Sequence, residues 1–227
     1  MKINNWREFA FIFMIIASIL WFILTFLAML FYAGGSYVNP NSPGYDFFSN
    51  FNSDLGRTVA HSGRPNTISF IIFTINSVLF SVSLMLFWIA IYHFFSENGI
   101  KKWMSLVATI FGIFVAIGFL GIVFTPADLY LGPHRMFTNI SFSALLIVLI
   151  LYAIAIYLNE DYPNRYCYVH IIYIIIVAIY LILRFTGPSI TTAEGLRIQA
   201  TSQKILLFCG VFDVLIQGYG AWKLETS

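Results

Sequence analysis

Phe124 to Phe142 reads FTPADLYLGPHRMFTNISF. This stretch joins two long apolar runs and gathers Asp128, His134, Arg135 and Asn139 where they meet. Pro126 stops the helix before it, and Gly132 with Pro133 restarts the chain as the helix after it. Upstream, Asp54 to Phe70 reads DLGRTVAHSGRPNTISF and repeats the theme: an acid, then His and Arg, then Asn, Ser and Phe opening an apolar helix. Two such junctions at the same end of a helical bundle locate a polar site.

The rest of the chain fixes the solvent in which that bundle sits. Of 227 residues, 59% are hydrophobic and 10% charged, far below the roughly 25% charged residues of soluble domains. A membrane-spanning helix needs about 20 mostly apolar residues. Six segments meet this: 9–32, 68–94, 103–124, 137–158, 168–183 and 205–222. The expected fold is an all-α integral membrane bundle of six transmembrane helices in three hairpins, forming a single domain over residues 1–227. The first run exceeds the roughly 7–15 residues of a signal-peptide core and is read as a retained helix. A net charge of +2 without a basic, aromatic-interleaved face excludes nucleic acid as a partner. Membrane lipids, anionic ones above all, and other membrane proteins are the partners to consider. Cys167 and Cys209 fall near different ends of their helices and are read as unbridged thiols.

With six spans both termini share one side. Lys2, Arg7, Lys101, Lys102, Arg165 and Lys223 lie on that side, and Arg57, Arg64, Arg135, Arg184, Arg197 and Lys204 on the other. The count of positive charges is tied. Context separates the sets: the second group is mixed with acids and histidines as members of a site are, whereas Lys101 and Lys102 form a plain dibasic loop. Both termini are therefore placed in the cytoplasm of a prokaryotic cell membrane, and the polar junctions on the outer face.

Local signals refine the picture. Phe47, Phe48 and Phe51 suit an interfacial segment, Ser53 a cap for a short helix starting at Asp54, and Pro65 the first turn of helix two. Asn66, Ser69, Asn76 and Ser83 fall on one face of helix two, which should turn inward. Ala108, Gly112 and Ala116 give helix three a small-residue seam and a central packing role. Thr191 and Glu194 have capping-box spacing, starting helix six near Ala193. Gln203, Gly210, Asp213, Gln217 and Gly220 form its polar and small face, and Asp213 lies at bilayer depth, where an acid needs a partner. Rise per residue puts Asn76 at the same height, so an Asn76–Asp213 hydrogen bond is expected.

Three helix starts at the outer face, with their unpaired N–H groups, and an excess of arginine suit an anion. The candidate ligand-binding residues are Asp54, Arg57, His61, Arg64, Asn66, Asp128, His134, Arg135, Asn139, Glu194 and Arg197. A lattice of structural ion pairs is the alternative for the same residues. Asp128 and His134 are the candidate catalytic pair if the protein is an intramembrane lipid hydrolase or transferase. No cofactor is expected; the zinc reading uses His61, His134 and Asp54, and a haem reading would use two axial pairs, His61 with His134 at the outer end and His93 with His170 at the inner end. Asn139 begins a sequon but is read as a helix-start polar group, being too close to the bilayer for a glycan. A structural subunit of a membrane complex is the third reading.

SDLGRT (Ser53 to Thr58), GFLGIVFTPAD (Gly118 to Asp128) and the following His134 resemble the prokaryotic six-helix membrane family catalogued as domain of unknown function 998. That family has a Ser-Asp-Leu-Gly element after its first helix and a Gly-rich third helix ending in a Phe-Pro-x-Asp-like turn. Thr125 and Ala127 are interposed here. The resemblance implies a six-helix topology and directs attention to the same outer residues, with no activity attached.

Overall fold

The computed structural model describes residues 5–97 and 99–227; Lys2, one of the cations used to orient the chain, lies outside them. Six long helices follow one another: α1 Trp6–Leu30, α2 Thr67–Ile91, α3 Ile100–Phe124, α4 Leu131–Tyr157, α5 Arg165–Thr186 and α6 Ala193–Thr226. Each is long and apolar enough to cross a bilayer, and the protein is a multi-pass membrane protein. Its helices remain apolar on the outside. Ile147, Ile150 and Ile154 on α4, and Ile172, Ile175, Ile179 and Ile182 on α5, form exposed stripes at helical spacing, which lipid accepts and water would not.

Each helix packs on its sequence neighbours, and α6 returns to α1, so the expected hairpins close into a ring. Arg7 Nη2 meets Glu225 Oε1 at 2.8 Å, holding both termini at one end. Helix α3 is not central, as its seam suggested, but takes its place between α2 and α4. Its glycines serve both neighbours. Gly112 lies under the Trp88 indole of α2, while Gly118 and Gly121 lie against Ser141 and Phe137 of α4.

The polar stripe of α2 is buried, as a membrane requires, with Asn66, Ser69, Asn76 and Ser83 all at 2% exposure or less. Its partners differ from expectation. Asn76 Nδ2 donates to Trp21 O (3.2 Å) and Thr25 Oγ1 (3.1 Å) on α1, and Asp213 instead meets His170 Nδ1 of α5 at 2.9 Å. Residue counting gives height in the bilayer but not direction; in the ring, α1 stands between α2 and α6. The small face of α6 packs on α5 tyrosines, with Gly210 against Tyr173 and Gly220 against Tyr166. Gln217 Nε2 donates to Tyr166 O at 2.8 Å. Cys167 and Cys209 are free thiols.

Three caps shift by a residue or two. A short 3-10 helix runs Asn52–Gly56, entered from Phe51 rather than capped by Ser53. The Asp54 carboxylate accepts the Phe51 N–H at 2.9 Å. Pro65 stands before α2, bridged to Val59. The hydroxyl that caps α6 is that of Thr192, accepting the Gly195 N–H at 3.1 Å, while Thr191 Oγ1 pairs with Ser189 Oγ at 2.9 Å.

The connection 31–66 covers the end of the ring away from the termini. Gly35, at φ +83°, brings its backbone so close to Ser62 that a Cβ would fall 2.3 Å from Ser62 N. Asn66 ties the connection together: Oδ1 accepts the Ala33 N–H, and Nδ2 donates to Leu55 O and Arg57 O. Lys204 of α6 is buried beneath it, donating to Asn50 O with the rings of Tyr45 and Phe47 within 5.4 Å. It therefore holds the cover down instead of joining the site, because a desolvated ammonium needs carbonyl and aromatic partners close by.

Candidate functional site

The covered end of the ring holds a pocket of about 360 Å³, lined by six of the residues singled out in the sequence: Asp54, Arg57, His61, Asp128, His134 and Arg135. Helix α4 starts at Leu131, so His134 and Arg135 emerge in its first turns, and the cover carries Asp54, Arg57 and His61 to face them. The repeat of acid, His and Arg thus corresponds to two walls of one pocket.

The acids are committed to the fold. Asp128 joins the two junctions: its carboxylate accepts Thr58 Oγ1 at 2.5 Å, the Thr58 N–H at 3.1 Å and the Val59 N–H at 3.0 Å. Burial pushes the Asp128 carboxyl up, but the bonds from Thr58 and Val59 outweigh it and hold it below its usual range. A depressed folded value means that this stabilisation is present above the unfolded value of about 3.9 and is lost as pH falls through the lower folded value. Acidification below about pH 4 is therefore expected to loosen the cover. Hydrogen exchange at Thr58 and Val59 should rise over that range, and Asp128→Asn should remove the pH dependence while raising exchange at neutral pH.

Asp54 accepts from Asn50 Nδ2 and the Phe51 N–H, and its Oδ1 lies 3.2 Å from His61 Nε2. Burial first, and the Asp54 carboxylate second, raise the Tyr32 and Tyr45 phenols well above their usual range, so both stay neutral. His134 Nδ1 lies 2.8 Å from Thr125 O. The Asp128–His134 dyad is therefore not formed: the acid is turned to Thr58 and the imidazole to a backbone carbonyl. The imidazole–carboxylate pair in this pocket is His61–Asp54.

The other candidates are placed around the pocket. Asn139 Oδ1 accepts Arg184 Nε at 3.0 Å and so steers that guanidinium, which lines the pocket. Arg64 is exposed with Nε 3.4 Å from Ser62 Oγ. Arg197 stacks over Phe48 at 5.9 Å, and Glu194 is exposed in the first turn of α6. Asn66 is buried in the cover, while Asn76, Asp213 and Gln217 belong to the ring interior. Arg184, Tyr37, Tyr180 and Gln203 line the pocket without having been chosen as site residues. Arg184 had a signal, a cation at a helix end beside the outer junctions; the tyrosines had none.

Among the described residues no group of three or more His, Cys, Asp or Glu side chains is gathered to hold a metal ion. His61 and Asp54 adjoin, but His134 is held to Thr125. For the haem pairing, His170 is fully buried against Asp213. What the pocket does present is charge: Arg57, Arg135 and Arg184 line it together. No family model, curated protein or solved structure matches the chain.

Proposed function

We propose that this membrane protein binds an anionic group, phosphate or carboxylate, in the pocket at the covered end of the ring. One observation carries the reading. Three guanidiniums face one cavity whose two carboxylates are already used by Thr58, Val59, Asn50, Phe51 and His61. Among the described residues the ion pairs within 4 Å are Arg7–Glu225, His61–Asp54 and His170–Asp213, and none involves Arg57, Arg135 or Arg184. The alternative lattice of structural Arg–carboxylate pairs finds no support in that arrangement. Arginine grips phosphate and carboxylate through paired N–H donors, and its charge is wasted on a pocket wall unless an anion meets it.

The anion is either a lipid headgroup or a soluble metabolite. Native mass spectrometry of protein exposed to inorganic phosphate in detergent, and separately of protein taken from nanodiscs containing phosphatidylglycerol, distinguishes the two sources. Arg184→Ala and Arg135→Ala should each weaken retention about tenfold, the loss expected for one charge-assisted contact, with the melting temperature unchanged in Arg135→Ala. Undiminished retention in both variants would overturn the reading. We place the pocket on the extracytoplasmic face of a prokaryotic plasma membrane, a reading supported by Lys101 and Lys102 at the terminal end and by the resemblance to domain of unknown function 998.

The His61–Asp54 pair favours a second reading, in which the bound anion is also a substrate and His61 acts as base in a hydrolase or transferase. A turnover lost in His61→Gln with ligand retention preserved would support it.

A further inference from the structure

Three guanidiniums account for an anion but do not exhaust the pocket. Its volume is about 360 Å³. At a share of ~30 Å³ per water this is room for on the order of a dozen waters, so a phosphate leaves space for a further group. His134 decides what that group is. The residue is 7% exposed and lines the pocket. Its ring makes one hydrogen bond among the described residues, from Nδ1 to Thr125 O at 2.8 Å. A carbonyl oxygen only accepts, so Nδ1 carries the proton, and the neutral imidazole holds its lone pair at Nε2. That nitrogen is not sealed in the packing as His170 Nε2 is. Arg57, Arg135 and Arg184 bring donors only, and the two carboxylates are already engaged. The imidazole is therefore the group beside them that is left to receive a hydrogen bond.

We infer that the anion held here is a phosphate ester of the polyol class, carrying a free hydroxyl that donates to His134 Nε2 while the phosphate meets the arginines. The inference rests on the pocket being an anion site and names the class of ligand that fills it. An ester without the hydroxyl displaces water from Nε2 and offers nothing in return, and a buried acceptor stranded in this way costs binding. A site that hydrogen-bonds a hydroxyl thereby rejects the analogue lacking it. Glycerol phosphate has the required chemistry, either as a soluble ester or as the headgroup of phosphatidylglycerol.

Native mass spectrometry with matched probes tests this. Glycerol 1-phosphate is compared with propyl phosphate in detergent, and phosphatidylglycerol with phosphatidylpropanol in phosphatidylcholine nanodiscs; the members of each pair share charge and carbon count and differ in the hydroxyls. The hydroxylated member should be retained about fivefold better, the gain from one neutral hydrogen bond. That preference in the first pair identifies a soluble ester, and in the second a lipid headgroup. His134→Asn should bring the ratio close to one, because its Nδ2 keeps a donor for Thr125 O where the imidazole has Nδ1 and the Nε2 acceptor is gone. Arg184→Ala should weaken both members about tenfold and leave their ratio as it was. Equal retention within both pairs, still dependent on Arg184, would overturn this inference and leave the anion pocket standing, as would a ratio that survives His134→Asn. Retention of no probe, or retention indifferent to both Arg184→Ala and Arg135→Ala, would overturn the pocket and this inference with it.

Discussion

Gly118→Leu is expected to destabilise the bundle by about 3 kcal/mol, lowering the melting temperature in detergent by roughly 6–12 °C at about 2–4 °C per kcal/mol for a chain of this size. The reason is the closeness of α3 and α4. A Cβ at Gly118 would fall 2.0 Å from Ser141 Oγ and 3.2 Å from Ser141 Cβ, so a leucine must force the helices apart. In a bilayer, helix association depends on such contact, because no hydrophobic difference separates a lipid tail from a leucine. Ser141 Oγ is buried without a partner, so Ser141→Gly removes the obstacle at no cost in hydrogen bonding. The double variant should recover part of the loss. Gly132→Ala is the control, since a Cβ there meets nothing within 4 Å, and its melting temperature should stay the same or rise. An unchanged melting temperature in Gly118→Leu would mean that α3 and α4 are not packed as described.

His170→Leu and Asp213→Leu are each expected to cost about 3 kcal/mol, because either leaves the other polar group alone in the membrane interior. Both side chains are buried, at 0% and 2% exposure, and their 2.9 Å contact links α5 to α6. The double variant His170→Leu with Asp213→Leu should cost far less than the sum, since it removes both polar groups together. Chemical or thermal unfolding of the four proteins gives the coupling directly. Additive losses would show that the two residues do not act on one another. Asp213→Asn keeps an acceptor for the imidazole and should be the mildest single change.

Much of the fold was legible because membrane insertion is decided locally. The apolar runs required six helices, Pro126 and Gly187 marked two of their ends, and the Asn66–Ser83 stripe announced which face of α2 turns inward. The pocket was legible for a related reason. Its six expected members lie on the first and third connections or in the first turns of the helix that follows, which alternating crossings of the membrane place at one end, and the repeated order of acid, His and Arg marked both walls.

Hydropathy determines that a segment crosses the bilayer and at what height each residue sits, and so the sequence by itself determined the bundle and the end of it at which the pocket lies. The tertiary structure alone decided who meets whom. Asp128 turned to Thr58, 70 positions away, and not to nearby His134. Asp213 turned to His170, and Asn76 to α1, because helix order around the ring sets direction and height does not. Arg184 lines the pocket with its guanidinium bonded to Asn139, and the cavity enclosed by the ring takes its walls from all six helices. Such pairings join residues far apart in the chain, and a local pattern carries no record of which distant surface will be folded against it.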